Sequence, residues 1–235
     1  MHAPAERPSR RWGDLGLRIA SAAVLGPLAL AGVWFGGWIF RVLVIVVALG
    51  LAIEWLMLCR QPAARRGGMR LRAAGLAYVA LAAAAVVWLR SDPAAGRANV
   101  VFLVLIVWAG DIAAYLVGRL VGGPRLAPMV SPGKTWSGAL GGLLGSIAVG
   151  LVAAYFLASS VSVWRAVPLA ACLGVVAQAG DLLESFVKRR LEVKDSSHLI
   201  PGHGGLFDRL DGVLAVAPVA ALLALTLGRG VVLWQ

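Results

Sequence analysis

The chain has 235 residues, 60% of them hydrophobic and 14% charged, with a mean hydropathy of +0.84 and a net charge of +11. Apolar runs longer than the roughly 18 residues that mark a bilayer span exclude a soluble enzyme, a disordered chain and a secreted disulfide scaffold. The sequence predicts an all-α, polytopic integral membrane protein. The basic surplus lies between apolar runs with no aromatic-interleaved basic face, which fits membrane topology and argues against a nucleic-acid partner. Cys59 and Cys172 fall at a span end and in mid-span and offer neither a structural disulfide nor a metal pair.

In chain order, helices are expected at about 17–35, 38–58, 73–90, 99–118, 138–158, 165–186 and 212–233. Arg7, Arg10 and Arg11 ahead of the first run mimic a signal peptide. No small-residue cleavage site follows, so that run is read as a retained first helix. Phe35-Gly36-Gly37 is a hairpin between the first two spans. With the N-terminus cytoplasmic, 17 of the 22 basic residues fall on the inner side, so the bias sets the N-terminus in and the C-terminus out. The expected organisation is residues 1–98 as three N-terminal transmembrane helices and residues 99–235 as a catalytic membrane domain. The latter's two long polar loops, 119–137 and 187–211, share the cytoplasmic face.

The unusual residues gather in those loops. Six of the eleven acidic residues lie between Asp181 and Asp211, and the only three lysines, Lys134, Lys188 and Lys194, sit in the two loops. A compact ammonium on a flexible stem serves a phosphate differently from an arginine fork. Asp181, Glu184, Ser185 and Lys188 follow i, i+3, i+4, i+7 and share one helical face. Carboxylates at bilayer depth cost about 2.5–3.5 kcal/mol each on insertion scales and are seldom idle. Asp208 and Asp211 precede the seventh span. Asp181, Asp208 and Asp211 together are expected to hold a hard cation, Mg²⁺, since no cysteine accompanies them.

Between these acids runs Pro201-Gly202-His203-Gly204-Gly205. Flanked by Lys188 and Arg189, its backbone N–H groups are expected to cradle phosphate. His203 is open to three roles: general acid, phosphate donor or plain loop residue. Ser131-Pro132-Gly133-Lys134-Thr135 lacks P-loop spacing but brings a lysine and two hydroxyls to a helix N-terminus. Asp111, inside the fourth span, is a functional candidate by its depth. Glu54, near the inner end of the second span, reads as structural.

The stretch Ser185-Phe186-Val187-Lys188-Arg189, then Lys194-Asp195, then Pro201-Gly202-His203-Gly204-Gly205-Leu206-Phe207-Asp208-Arg209-Leu210-Asp211 resembles the signature of phosphatidate cytidylyltransferases (CDP-diacylglycerol synthases). Trp108-Ala109-Gly110-Asp111 with Tyr115 and Gly118, and Ser131-Pro132 with Lys134-Thr135-Trp136, agree with it as well. Ile112, Gly133 and Ser137 depart from the family's usual threonine, lysine and glutamate. The resemblance implies transfer of CMP from CTP to phosphatidic acid, giving CDP-diacylglycerol and pyrophosphate with Mg²⁺, at the cytoplasmic face of a bacterial inner membrane. It also implies pairing of two copies. On that reading Lys188, Asp208, Asp211 and His203 are catalytic. The substrate contacts are Asp111, Ser131, Lys134, Thr135, Lys188, Arg189, Lys194, Gly202, Gly204, Gly205 and Arg209. The nearest alternatives are a related transferase acting on another membrane lipid and, far behind, a cation or phosphate transporter.

Overall fold

The structure, a computed structural model, describes residues 10–157, 163–197, 204–227 and 232–234. Seven helices follow one another: α1 (Arg10–Phe35), α2 (Gly37–Leu58), α3 (Gly68–Arg90), α4 (Gly96–Leu120), α5 (Trp136–Leu157), α6 (Ala166–Arg190) and α7 (Phe207–Leu227). Among the described residues, α2 to α7 are long and apolar enough to cross a membrane, and α1 adds the apolar run Ala23–Phe35. The expected polytopic helical protein is therefore what folds. Helices satisfy their own backbone groups, which hydrocarbon requires. Their outer faces are apolar: on α2, Val42, Ile45, Val46, Leu49 and Ile53 recur at helical spacing and point away from the protein.

The inner faces meet in a shared core. Phe102 and Ile106 of α4, Leu173 of α6 and Val216 and Ala217 of α7 are fully buried there, with Ala85 and Leu89 of α3 in the same cluster. The α1–α2 hairpin turns at Gly36, whose φ of +64° is open to glycine at little cost. A Cβ there would also fall 2.4 Å from the Arg90 guanidinium. Arg90 donates to the Val33 and Trp34 carbonyls at 2.7 and 3.1 Å, satisfying acceptors that the end of α1 leaves over.

The α4–α5 pair is built on small residues. Gly110, Ala114 and Gly118 recur every fourth position on α4, and Gly138, Gly142, Ser146 and Gly150 do so on α5. A Cβ on Gly138 would lie 2.9 Å from the Ala114 carbonyl oxygen, and one on Gly142 would lie 2.9 Å from that of Gly110. Ser146 Oγ donates to the Ile106 carbonyl at 3.0 Å across the seam. Close backbone approach is how helices associate in a solvent as apolar as their side chains.

Several boundaries differ from expectation, and α1 and α3 begin at Arg10 and Gly68 rather than at 17 and 73. The 119–137 loop is not irregular: it contains an antiparallel hairpin, β1 (Arg125–Ala127) with β2 (Ser131–Thr135). Pro128 presets its turn, closed by Val130 N–H on the Ala127 carbonyl at 3.1 Å. The last helix begins at Phe207 rather than 212, because side-chain carboxylates take up the free N–H groups at its start. It ends at Leu227 rather than 233. Trp234 instead packs back on α4, stacked on Phe102 with ring centroids 4.4 Å apart, and Leu233 N–H donates to Asn99 Oδ1.

Candidate active site

The α6 C-terminal half, the α7 first turn and the β-hairpin converge at one end of the bundle. Arg189 Nε donates to the Val130 carbonyl at 3.3 Å, so the two polar loops of the second half do meet. Asp181 and Glu184, one turn apart on α6, face Asp211 on α7, and one carboxylate oxygen from each lies within 4.8 Å of the other two. Gly180 permits this approach, since a Cβ there would lie 2.4 Å from Ala215 Cβ and 3.0 Å from the Asp211 carbonyl.

Two lysines flank the acids. Lys134, carried in by β2, holds Asp181 Oδ2 at 2.5 Å. Lys188, one turn beyond Glu184, lies 3.1 Å from Glu184 Oε1 and 2.5 Å from Asp208 Oδ1. Lys188 is thus shared between Glu184 and Asp208, so four carboxylates gather around two ammonium groups. Glu184 Oε1 is buried, and the Lys188 ammonium at 3.1 Å is the cation that answers it. The all-oxygen donor set of Asp181, Glu184 and Asp211 fits Mg²⁺.

Asp208, expected beside Asp181 and Asp211 as a metal ligand, is committed elsewhere. Its Oδ1 takes Lys188, and its Oδ2 accepts from Ser196 N at 3.1 Å, Ser196 Oγ at 2.9 Å and Gly205 N at 3.2 Å. The acid that converges with Asp181 and Asp211 is instead Glu184, whose i, i+3 spacing from Asp181 was the sequence signal for it. The glycine-rich cradle also differs from expectation. Gly205 N–H is given to Asp208, so that donor is filled by the chain's own carboxylate rather than left for phosphate. Glycine is required at 205 because a Cβ would fall 1.7 Å from Ser196 Oγ. Gly204, at φ +83°, shapes the same turn. Gly202 and His203 lie outside the described residues.

The other expected contacts divide by location. Asp111, Ser131, Lys134 and Thr135 line a cavity of about 540 Å³ that also reaches Asp181. Within it the Thr135 hydroxyl caps α5, accepting from Gly138 N at 3.0 Å. Ser137 donates to the Gly122 carbonyl, fastening the hairpin to the end of α4. Arg119 and Arg125 add positive charge to the rim. A second cavity of about 210 Å³ opens on the other side of the acids, with Glu184, Lys188 and Asp211 at one wall and Trp55, Leu58, Leu71 and Tyr78 at the other. Arg189, Lys194 and Arg209 are exposed at the same end. The acidic cluster thus stands between a larger chamber with charged side chains in its walls and a smaller, more apolar one. A phosphate-bearing solute and an apolar chain can meet there.

Residues 68–227 match the model of the cytidylyltransferase family. The chain belongs to that family. A protein of Brucella suis, described as phosphatidate cytidylyltransferase, is 38% identical over 89% of this chain and 93% of its own length. One of Rickettsia bellii with the same description is 32% identical over 88% and 89%. One of Staphylococcus haemolyticus, again so described, is 40% identical over 57% of this chain and 50% of its own.

Proposed function

We propose that this protein transfers CMP from CTP to phosphatidic acid, forming CDP-diacylglycerol and pyrophosphate. The observation that carries the reading is the Asp181–Glu184–Asp211 cluster with Lys134 and Lys188 each paired to one of its members. The family match and the descriptions of the relatives support the substrates.

The chemistry needs little from protein side chains. A phosphomonoester has a second pKa of about 6, so phosphatidate is already largely a dianion at neutral pH and requires no strong base. A phosphatidate oxygen attacks the α-phosphorus of CTP. The bond from that phosphorus to the bridging oxygen of the β-phosphate breaks, and pyrophosphate leaves with the electron pair. The task is to bring two polyanions together and offset the charge on the leaving group. Mg²⁺ held by Asp181, Glu184 and Asp211 would neutralise charge on phosphate oxygens. Lys134 approaches from the hairpin and Lys188 from α6, on opposite sides of the acids, and each would grip a phosphate. Asp208 keeps Lys188 aimed at the cluster. The acyl chains stay among the helices while the headgroup meets the nucleotide.

The basic bias of the loops supports a cytoplasmic location for this end of the bundle, where CTP is, and the bacterial relatives support an inner-membrane setting. Pairing of two copies through membrane helices belongs to the same reading. Detergent-purified protein with phosphatidic acid, Mg²⁺ and each of CTP, dCTP, ATP, GTP and UTP tests it. Pyrophosphate release with cytidine nucleotides, together with a CDP-diacylglycerol product, is the expected result. Silence of well-folded protein with every nucleotide overturns it.

A further inference from the structure

Glu54 lies on α2, outside the residues that match the family model, and is fully buried. Its Oε1 accepts from Leu206 N at 2.7 Å and from Ser197 Oγ; its Oε2 accepts from Phe207 N at 2.7 Å. Ser196 Oγ stands 3.5 Å from Oε2 as well, although that hydroxyl's one proton serves Asp208 at 2.9 Å. A carboxylate withdrawn completely from water persists when donors fill its lone pairs, and here they converge from both sides of one segment. Two of them are free N–H groups at the start of α7, where the helix end favours negative charge.

The partners have a pattern. Ser196 and Ser197 lead into the glycine-rich segment and Leu206 and Phe207 lead out of it, so one carboxylate from α2 ties both sides of its stem. The stem in turn holds Asp208, through Ser196 and Gly205, and Asp208 holds Lys188 at 2.5 Å beside Glu184. A continuous chain of contacts thus runs from α2 to the acidic cluster. We propose that Glu54 is a positioning residue for cytidylyl transfer, joining Ser197 to Leu206 and Phe207 so that Asp208 and Lys188 are held where the nucleotide's phosphates bind. The inference rests on the function proposed above. A residue that merely stabilised the bundle would alter the folded fraction and leave the affinity for nucleotide alone.

Glu54→Gln separates these roles. It keeps shape and volume but offers one acceptor oxygen, and turns an NH₂ toward N–H donors. Ser197→Ala removes one donor and leaves the backbone contacts, as a milder step in the same direction. The full-length protein in detergent is read three ways: amide exchange of peptides covering 204–210, equilibrium binding of MgCTP, and turnover with phosphatidic acid. Glu54→Gln is expected to speed exchange at Leu206 and Phe207 at least tenfold with α4 and α5 unchanged. The Kd and KM for MgCTP are expected to rise about tenfold, with KM for phosphatidic acid within twofold of wild type. Ser197→Ala should fall between. Wild-type exchange in Glu54→Gln, or an unchanged MgCTP Kd despite faster exchange, overturns the proposal. A wild-type chain that binds MgCTP yet makes no CDP-diacylglycerol overturns the functional reading instead, and the exchange and Kd of the variant still decide the role of Glu54 in nucleotide binding.

Discussion

Lys134 Nζ sits 2.5 Å from Asp181 Oδ2, so a lysine from the hairpin occupies one edge of the acid cluster. The same ammonium cannot stay there unchanged once a divalent cation binds, because two cations would share one carboxylate edge. Freed from Asp181, it is placed to meet phosphate. Lys134→Met is therefore expected to bind Mn²⁺, used as a spectroscopic probe, at least as tightly as wild type. Its kcat/KM for CTP should fall by about 10²–10³, the usual loss when one preorganised donor to developing charge is removed. Paramagnetic resonance titration and pyrophosphate release together check this. A parallel loss of cation binding would make Lys134 part of the cation site's architecture instead.

The cluster carries a stability cost with a definite sign. Asp181, Glu184 and Asp211 crowd within 4.8 Å while only two ammonium groups answer them. Asp211→Asn relieves that repulsion and keeps the local hydrogen bond from Gly212 N to the Oδ1 position. In chelator the variant is expected to melt higher by about 2–4 °C, the change that roughly 1 kcal/mol gives in a chain of this size. Added Mg²⁺ should raise the wild-type Tm through binding and leave the variant unmoved. Turnover should be lost. Melting curves in detergent with and without Mg²⁺ decide it, and a variant less stable in chelator would refute the repulsion argument.

Asp208 and Asp211 are three residues apart and make different contacts. Asp208 Oδ2 already accepts three hydrogen bonds and Oδ1 holds Lys188. Asp208→Asn is expected to keep Mn²⁺ affinity within about threefold of wild type while losing kcat, since Lys188 then lacks its anchor. Asp211→Asn should lose Mn²⁺ binding outright. Equal loss of binding in both would restore Asp208 to the cation site.

Much of this was legible beforehand. Long apolar runs located the helices because hydrocarbon permits few alternatives. The gathering of Lys134, Lys188 and the acids in two loops pointed to the site end of the bundle. What stayed hidden depended on which oxygen faces which donor. The i, i+3 spacing shared by Asp181–Glu184 and Asp208–Asp211 says which pairs lie on one face, yet it cannot say that Asp208 turns to the 196–205 loop. Nor does hydropathy show that Glu54 reaches across more than 140 residues to cap α7. The hairpin was hidden because Arg125–Ala127 is only three residues long. The small-residue stripes on α4 and α5 were open to reading, since glycine, alanine and serine at every fourth position mark close helix approach.

That stripe sets the distance between Asp111 on α4 and the hairpin that leads into α5 with Lys134. Gly142 has the Gly110 carbonyl oxygen, Ala114 Cβ and Gln178 Nε2 within 2.9–3.1 Å of where its own Cβ would stand. Backbone on one side cannot shift without moving α4, and Gln178 is tied to the Ala139 carbonyl at 3.1 Å. Gly142→Leu therefore forces the helices apart. Overpacking of this kind costs about 1–3 kcal/mol or more, so the Tm should drop by at least about 2 °C. Leu144→Val, on the exposed face of the same helix, should leave the melt within about 1 °C. In whatever fraction of Gly142→Leu stays folded, the KM for CTP is expected to rise, because the cavity wall bearing Asp111 has moved relative to Lys134. Melting and steady-state kinetics on the two variants check both halves. A Gly142→Leu protein with wild-type Tm and KM would mean that the α4–α5 seam does not set the width of the nucleotide chamber.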